Sequence, residues 1–173
     1  MGQKMAEHAS IYIALGGNLP FEGGVPQATQ CKALQSLRDA GISIVQQSSF
    51  WTSPAWPDPS KPDYVNAMAE IASPLPAEAL LGLLLETEEV YGRERQQRWD
   101  SRTLDLDLVD YRGRVSTSDN LTLPHPRAHE RAFVLLPLAE IAPDWCHPVS
   151  NTPIGTLIGL LDPRDVAQTH KLA

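Results

Sequence analysis

The chain has 173 residues, 42% of them apolar and 20% charged, enough for one domain with a real core. A net charge of −7 excludes an overall electrostatic grip on nucleic acid, so a bound anion must be held by a local basic patch or by metal ions. Cys31 and Cys146 lack metal-ligand spacing and read as two free thiols of a reducing cytosol, and no segment reaches the ~20 apolar residues of a membrane span.

In chain order, SIYIALG (10–16) is rich in strand formers and ends at Gly16-Gly17-Asn18, a turn signal. Residues 26–40 place Ala28, Cys31, Leu34 and Leu37 at helical spacing, with Pro26 suited to the first turn and Gly41 to the C-terminal cap. ISIVQQSSFW (42–51) returns to strand character, and SPAWPDPSKP (53–62), with four prolines, is a stiff loop. DYVNAMAEIAS (63–73) alternates: Val65, Ala67, Ala69 and Ile71 form one face, Tyr64, Asn66, Met68 and Glu70 the other, which predicts a strand with one face buried. Residues 76–92 predict a helix with a stripe of Leu80, Leu81, Leu84 and Leu85, closed by Gly92. A basic loop (93–101) leads to the strand RTLDLDLVDY (102–111). A turn, a helix from about Ala128 with a proline stop, and a short helix in PIGTLIGLLD complete the chain. The order βαβ, βαβ, then helices predicts an α+β fold with an antiparallel sheet in the ferredoxin-like arrangement.

The strand RTLDLDLVDY contains a local conflict. Side chains alternate along a strand, so Leu104, Leu106 and Leu108 face one way and Asp105 and Asp107 the other, with Cα atoms roughly 6.5–7 Å apart. Aspartate is a poor strand former, and such conflicts tend to mark functional sites. Arg93, Arg95, Arg98 and Arg102 immediately precede the pair. Acids able to hold a divalent cation beside arginines able to hold phosphate oxygens describe a Mg-nucleotide site. Neither GxxxxGK[ST] nor GxGxxG occurs. On the residues alone, an amphipathic strand whose aspartates merely face water remains the alternative.

An ordered series of motifs resembles the 6-hydroxymethyl-7,8-dihydropterin pyrophosphokinases of folate biosynthesis. It comprises IALGGN, SSFWTSP, PDYVNA, ETEEVYGR, RW.SRTLDLDLV and LTLPHPRAHERAFVLLPLAEIAP, spanning roughly residues 10–160. The resemblance implies a single domain over residues 1–173, an α/β/α fold on a ferredoxin-like core with helices on both faces of the sheet, and transfer of pyrophosphate from ATP to the pterin hydroxymethyl group, releasing AMP. It implies two Mg²⁺ ions on Asp105 and Asp107. Glu88, Arg93, Trp99, Arg102, His125 and Arg131 match positions at the nucleotide, with Arg95 and Arg102 also assisting transfer. Ser53, Trp56, Tyr64, Asn66 and Phe133 match the pterin pocket, Tyr64 and Phe133 as the two aromatics that sandwich the ring. The chain departs from the family pattern at Asp100, where Gly or Ala is usual, and at Asn120, where relatives often carry a basic residue.

These readings lead to the expectation of a cytoplasmic monomer that binds neither nucleic acid nor membrane, with flexible ends at 1–9 and 165–173. Two other functions fit the same residues. A ferredoxin-like module could hold nucleotide without chemistry, and a metal-dependent phosphohydrolase would need no pterin.

Overall fold

The computed structural model describes residues 10–92 and 101–173. The main sheet is antiparallel throughout, in the order β5-β1-β4-β3-β8, with β2 also paired to β4. Its strands are β1 (Ile11–Gly17), β2 (Ser43–Gln47), β3 (Trp51–Ser53), β4 (Tyr64–Ala72), β5 (Asp105–Tyr111) and β8 (His170–Lys171). A hairpin, β6 (Ser116–Ser118) and β7 (Leu121–Leu123), stands apart. The helices are α1 (Pro26–Asp39), α2 (Ala77–Val90), α3 (Ala132–Ile141), α4 (Ile154–Leu160) and α5 (Pro163–Gln168), with a 3-10 turn at Ala128–Glu130.

Two apolar layers explain the architecture. On one face, Ile11, Ile13 and Leu15 of β1, Ala67, Ala69 and Ile71 of β4, and Leu106 and Leu108 of β5 bury against Leu34 and Leu37 of α1 and Leu80 and Leu84 of α2. On the other, Tyr12, Met68 and Val109 bury against Val134, Leu135 and Leu138 of α3 and Ile154 and Leu157 of α4. The α+β class, the ferredoxin-like core and the helices on both faces are therefore as expected. The reading of β4 as buried on one face is corrected. Met68 is 0% exposed, because α3 covers the side that alternation had assigned to solvent.

Other boundaries move for local reasons. The predicted strand 42–51 divides into β2 and β3, both on β4, because Ser48 interrupts it: the Met68 amide donates to the Ser48 hydroxyl while the Ser48 amide donates to the Met68 carbonyl. β1 continues through Gly17, and β5 begins only at Asp105. In α1, Ala28 and Cys31 are exposed, and the buried stripe is Gln30, Ala33, Leu34 and Leu37. Gln30 is tolerated there because its amide donates to the Val65 carbonyl at 2.8 Å. The helix expected from Ala128 breaks at Arg131, whose backbone is extended, and α3 starts after it. The C-terminal segment takes regular structure. It includes the end of α5 and the whole of β8, where Trp51 pairs with Lys171 and Thr52 with His170, so the edge of β3 supplies backbone partners that periodicity cannot reveal. No helix among the described residues is long and apolar enough to cross a membrane.

Candidate active site

The site grows from the end of the central strand. β1 lies between β4 and β5, and Gly16 is the cross-strand partner of both Asn66 and Asp105, as Ala14 is of Met68 and Asp107. Partners across an antiparallel ladder share a face. Asn66, Gly16 and Asp105 therefore form a row on the α3 side, close enough that a Cβ on the glycine would stand in ordinary contact, 3.5 Å from Asn66 Oδ1 and 4.0 Å from Asp105 Cβ. Gly17 serves a different purpose. A Cβ at that position would lie 2.6 Å from the Thr103 carbonyl oxygen, so only glycine lets the chain entering β5 come this close.

Asn18 locks that close approach. Its Oδ1 accepts from the Arg102 amide at 2.8 Å, and its Nδ2 donates to the Pro62 carbonyl at 2.9 Å and to Ser101 Oγ at 3.2 Å. The amides of Asn18 and Leu19 both donate to the Arg102 carbonyl. On the far side, Glu88 of α2 is 0% exposed and its Oε1 accepts from the Leu106 amide at 2.6 Å, between the two aspartates. Thr103 Oγ1 donates to the Tyr91 carbonyl at 2.6 Å. The segment carrying Asp105 and Asp107 is thus held by groups from β1, its following turn, and α2.

Beside this row opens a cleft of about 640 Å³. Its wall brings together nine of the residues singled out in the sequence: Ser53, Trp56, Tyr64, Asn66, Arg102, Asp105, Asp107, Arg131 and Phe133. Arg127, Glu130, Asp165, Gln168 and Thr169 join them, none of which the sequence had marked. Glu88 and His125 do not line this cleft. Arg93, Arg95 and Trp99 lie outside the described residues, as do Arg98 and Asp100. Asn120 sits exposed in the turn of the β6–β7 hairpin.

The two ends of the cleft differ chemically. At one end, Arg102 Nη1 donates to Asp105 Oδ2 at 2.8 Å. Arg131 follows the 3-10 turn. Burial and the neighbouring Arg127 weaken its hold on the proton, while Asp107, Asp105 and Glu130 favour the charged form. His125 has its pKa lowered, first by burial and then by Arg131, against an opposing pull from Asp105, with Arg127 adding the least. Its Nδ1 accepts from the Arg127 amide at 3.3 Å, which places the proton of the neutral ring on Nε2. At the other end, Tyr64, Trp56 and Phe133 share the wall with Pro54, Pro57 and Pro59. Asn66, 5% exposed, donates from Nδ2 to Ser53 Oγ at 2.9 Å, which fixes the orientation of its amide.

The carboxylates suit a magnesium site. No group of three or more His, Cys, Asp or Glu able to hold a metal occurs among the described residues. Asp105 and Asp107 instead offer two carboxylates on a rigid strand opposite small residues. Mg²⁺ characteristically takes one or two carboxylates and completes its shell with water and substrate phosphates.

Known proteins resemble this chain in sequence and in fold. The family described as 7,8-dihydro-6-hydroxymethylpterin-pyrophosphokinase (HPPK) matches residues 12–143. A protein of Synechocystis named 2-amino-4-hydroxy-6-hydroxymethyldihydropteridine pyrophosphokinase is 41% identical over 155 residues, 90% of this chain and 77% of its own length. One of Methylorubrum extorquens with the same name is 35% identical over 160 residues, covering 92% and 98%. The fold is similar to that in a crystal structure of Plasmodium falciparum HPPK-DHPS, with a TM-score of 0.64 at 12% identity; 87% of this chain aligns, over 43% of that one. By the family match and these identities, the chain belongs to the 7,8-dihydro-6-hydroxymethylpterin-pyrophosphokinase family.

Proposed function

We propose that the protein transfers the terminal pyrophosphate of ATP to the hydroxymethyl group of 6-hydroxymethyl-7,8-dihydropterin, releasing AMP and the pterin diphosphate. The observation that carries this reading is one cleft in which a carboxylate pair and arginines at one end meet an aromatic pocket with an oriented asparagine at the other. Asp105 and Asp107 would hold two Mg²⁺ ions. Bound there, the ions would neutralise phosphate charge and lower the pKa of the attacking hydroxyl. Arg102 and Arg131 bind phosphate oxygens, and Arg102 exchanges its contact with Asp105 for one with substrate. Glu88 acts as a positioning residue through the Leu106 amide. Arg93, Arg95, Trp99 and His125 complete the nucleotide end by family resemblance. Tyr64 and Phe133 stack on the two faces of the pterin, Asn66 reads its edge with Ser53 behind it, and Trp56 packs beside it.

In this arrangement the protein does little covalent chemistry. Its residues align hydroxyl and β-phosphorus and surround the transferred group with fixed positive charge. The reading extends to a cytoplasmic monomer, for which sedimentation provides the test of assembly. The activity is tested by AMP release from Mg-ATP with and without 6-hydroxymethyl-7,8-dihydropterin. Release that requires the pterin is expected. ATP bound without AMP formation would favour a binding module, and hydrolysis indifferent to the pterin would favour a phosphohydrolase.

A further inference from the structure

The C-terminal segment reaches the site. β8 pairs with β3, the strand that ends in Ser53, and the Leu172 amide donates to the Phe50 carbonyl at 2.9 Å. Lys171 Nζ lies 3.3 Å from Glu140 Oε1 and 5.5 Å from the centre of the Trp51 ring. The same Glu140 accepts from the Ser49 amide and hydroxyl and from Trp51 Nε1. The tail is therefore pinned to β3 and α3 together. It returns α5 to the cleft, where Asp165, Gln168 and Thr169 share a wall with Trp56, Tyr64 and Phe133. Thr169 is buried, and its hydroxyl donates to the Asp165 carbonyl at 2.8 Å, tying the end of α5 to its start.

This wall lies beyond residues 12–143, the part matched by the family's own description. Its chemistry complements the neighbouring surface. The aromatic and proline side chains there offer mainly stacking surface, and the edge of a flat heterocycle has more polar groups than Asn66 alone satisfies. An aminopyrimidinone edge presents N–H donors next to a carbonyl acceptor. Asp165 offers acceptors, and Gln168 offers both a donor and an acceptor. We propose that the segment 163–172 forms a wall of the ring-binding subsite and that Asp165 and Gln168 hydrogen-bond the polar edge of the heterocycle, setting affinity for it without touching the nucleotide. This rests on the activity proposed above.

The test uses full-length protein and three variants, Asp165→Ala, Gln168→Ala and, as control, Arg164→Ala, on the same short helix but outside the cleft wall. Affinity for 6-hydroxymethyl-7,8-dihydropterin is read from tryptophan fluorescence, affinity for Mg-ATP from calorimetry, and turnover from AMP. All three side chains belong to exposed residues, and thermal melts verify the fold. The pterin Kd rises about tenfold in Asp165→Ala and about fivefold in Gln168→Ala, the scale of one lost hydrogen bond, charged in the first case. ATP affinity and kcat stay at wild-type values, and Arg164→Ala matches wild type throughout. Pterin affinities within twofold of wild type in both variants, or an equal loss of ATP affinity, overturn the inference while leaving the activity standing. A wild-type protein that folds but releases no AMP overturns both.

Discussion

Asn18→Ala probes the feature on which the site's geometry depends. The side chain is 3% exposed and makes three hydrogen bonds, to the Arg102 amide, the Pro62 carbonyl and Ser101 Oγ. At a net ~0.5–1.5 kcal/mol each, their loss costs about 2–4 kcal/mol, toward the upper end because the Arg102 amide is left without that acceptor. Against a typical total of ~5–15 kcal/mol this is a large fraction. With an m-value of about 2 kcal/mol per molar urea, the unfolding midpoint falls by about 1–2 M. The same substitution frees the chain around Arg102, so Mg-ATP affinity falls in protein that is still folded. A double-mutant cycle with Ser101→Ala isolates one of the three bonds and should give a coupling of at least ~0.5 kcal/mol. A stability loss below about 0.5 kcal/mol would show that Asn18 does not hold the entry to β5, and the account of the site's rigidity would fail.

Glu88→Ala deprives the buried Leu106 amide of its acceptor and should cost about 1–3 kcal/mol, whereas Glu88→Gln, which keeps an acceptor, should cost less; equal losses in urea titrations would refute the hydrogen-bonded role. Asp107→Asn should lower AMP release by at least about 100-fold with the melting temperature retained, since one of two facing like charges is removed; unchanged turnover would end the two-carboxylate argument. The His147 pKa is lowered, first by burial and then by His129, against a pull from Asp110. A depressed folded pKa means that the unfolded chain binds more protons below the ordinary value of about 6.5, so stability held above that value is lost as pH falls toward the folded pKa. His147 Nδ1 accepts from the amides of Val149 and Ser150. His147→Asn, which can supply an acceptor without titrating, should flatten the fall in melting temperature between pH 7.5 and 5.5; an unchanged slope would refute the assignment.

The Leu104–Leu108 alternation was legible because strand geometry forces it, and Leu106 and Leu108 lie in the core while Asp105 and Asp107 line the cleft. The helix caps at Pro26 and Gly41 were equally legible, Gly41 having a φ of +90°. These are local properties of backbone and side chain. By contrast, Gly16-Gly17 read as a turn, yet both are strand residues: Gly16 pairs with Asn66, 50 positions away, and the missing Cβ of Gly17 makes room for Thr103, 86 positions away. The stripe of α1 was misplaced because Gln30 looks polar until the Val65 carbonyl is seen to receive its amide.

The sequence by itself determined the types of the main elements, the antiparallel α+β class and, through ordered motifs, the family and nine of the cleft's residues. Only the tertiary structure decided that both faces of β4 are covered, that Asn18 and Glu88 clamp the strand bearing the aspartates, and that Asp165 and Gln168 return to the cleft from the far end of the chain. The division has a physical cause. Periodicity and capping act within a few residues, whereas a clamp or a cleft wall depends on which distant backbone groups lie within hydrogen-bonding distance.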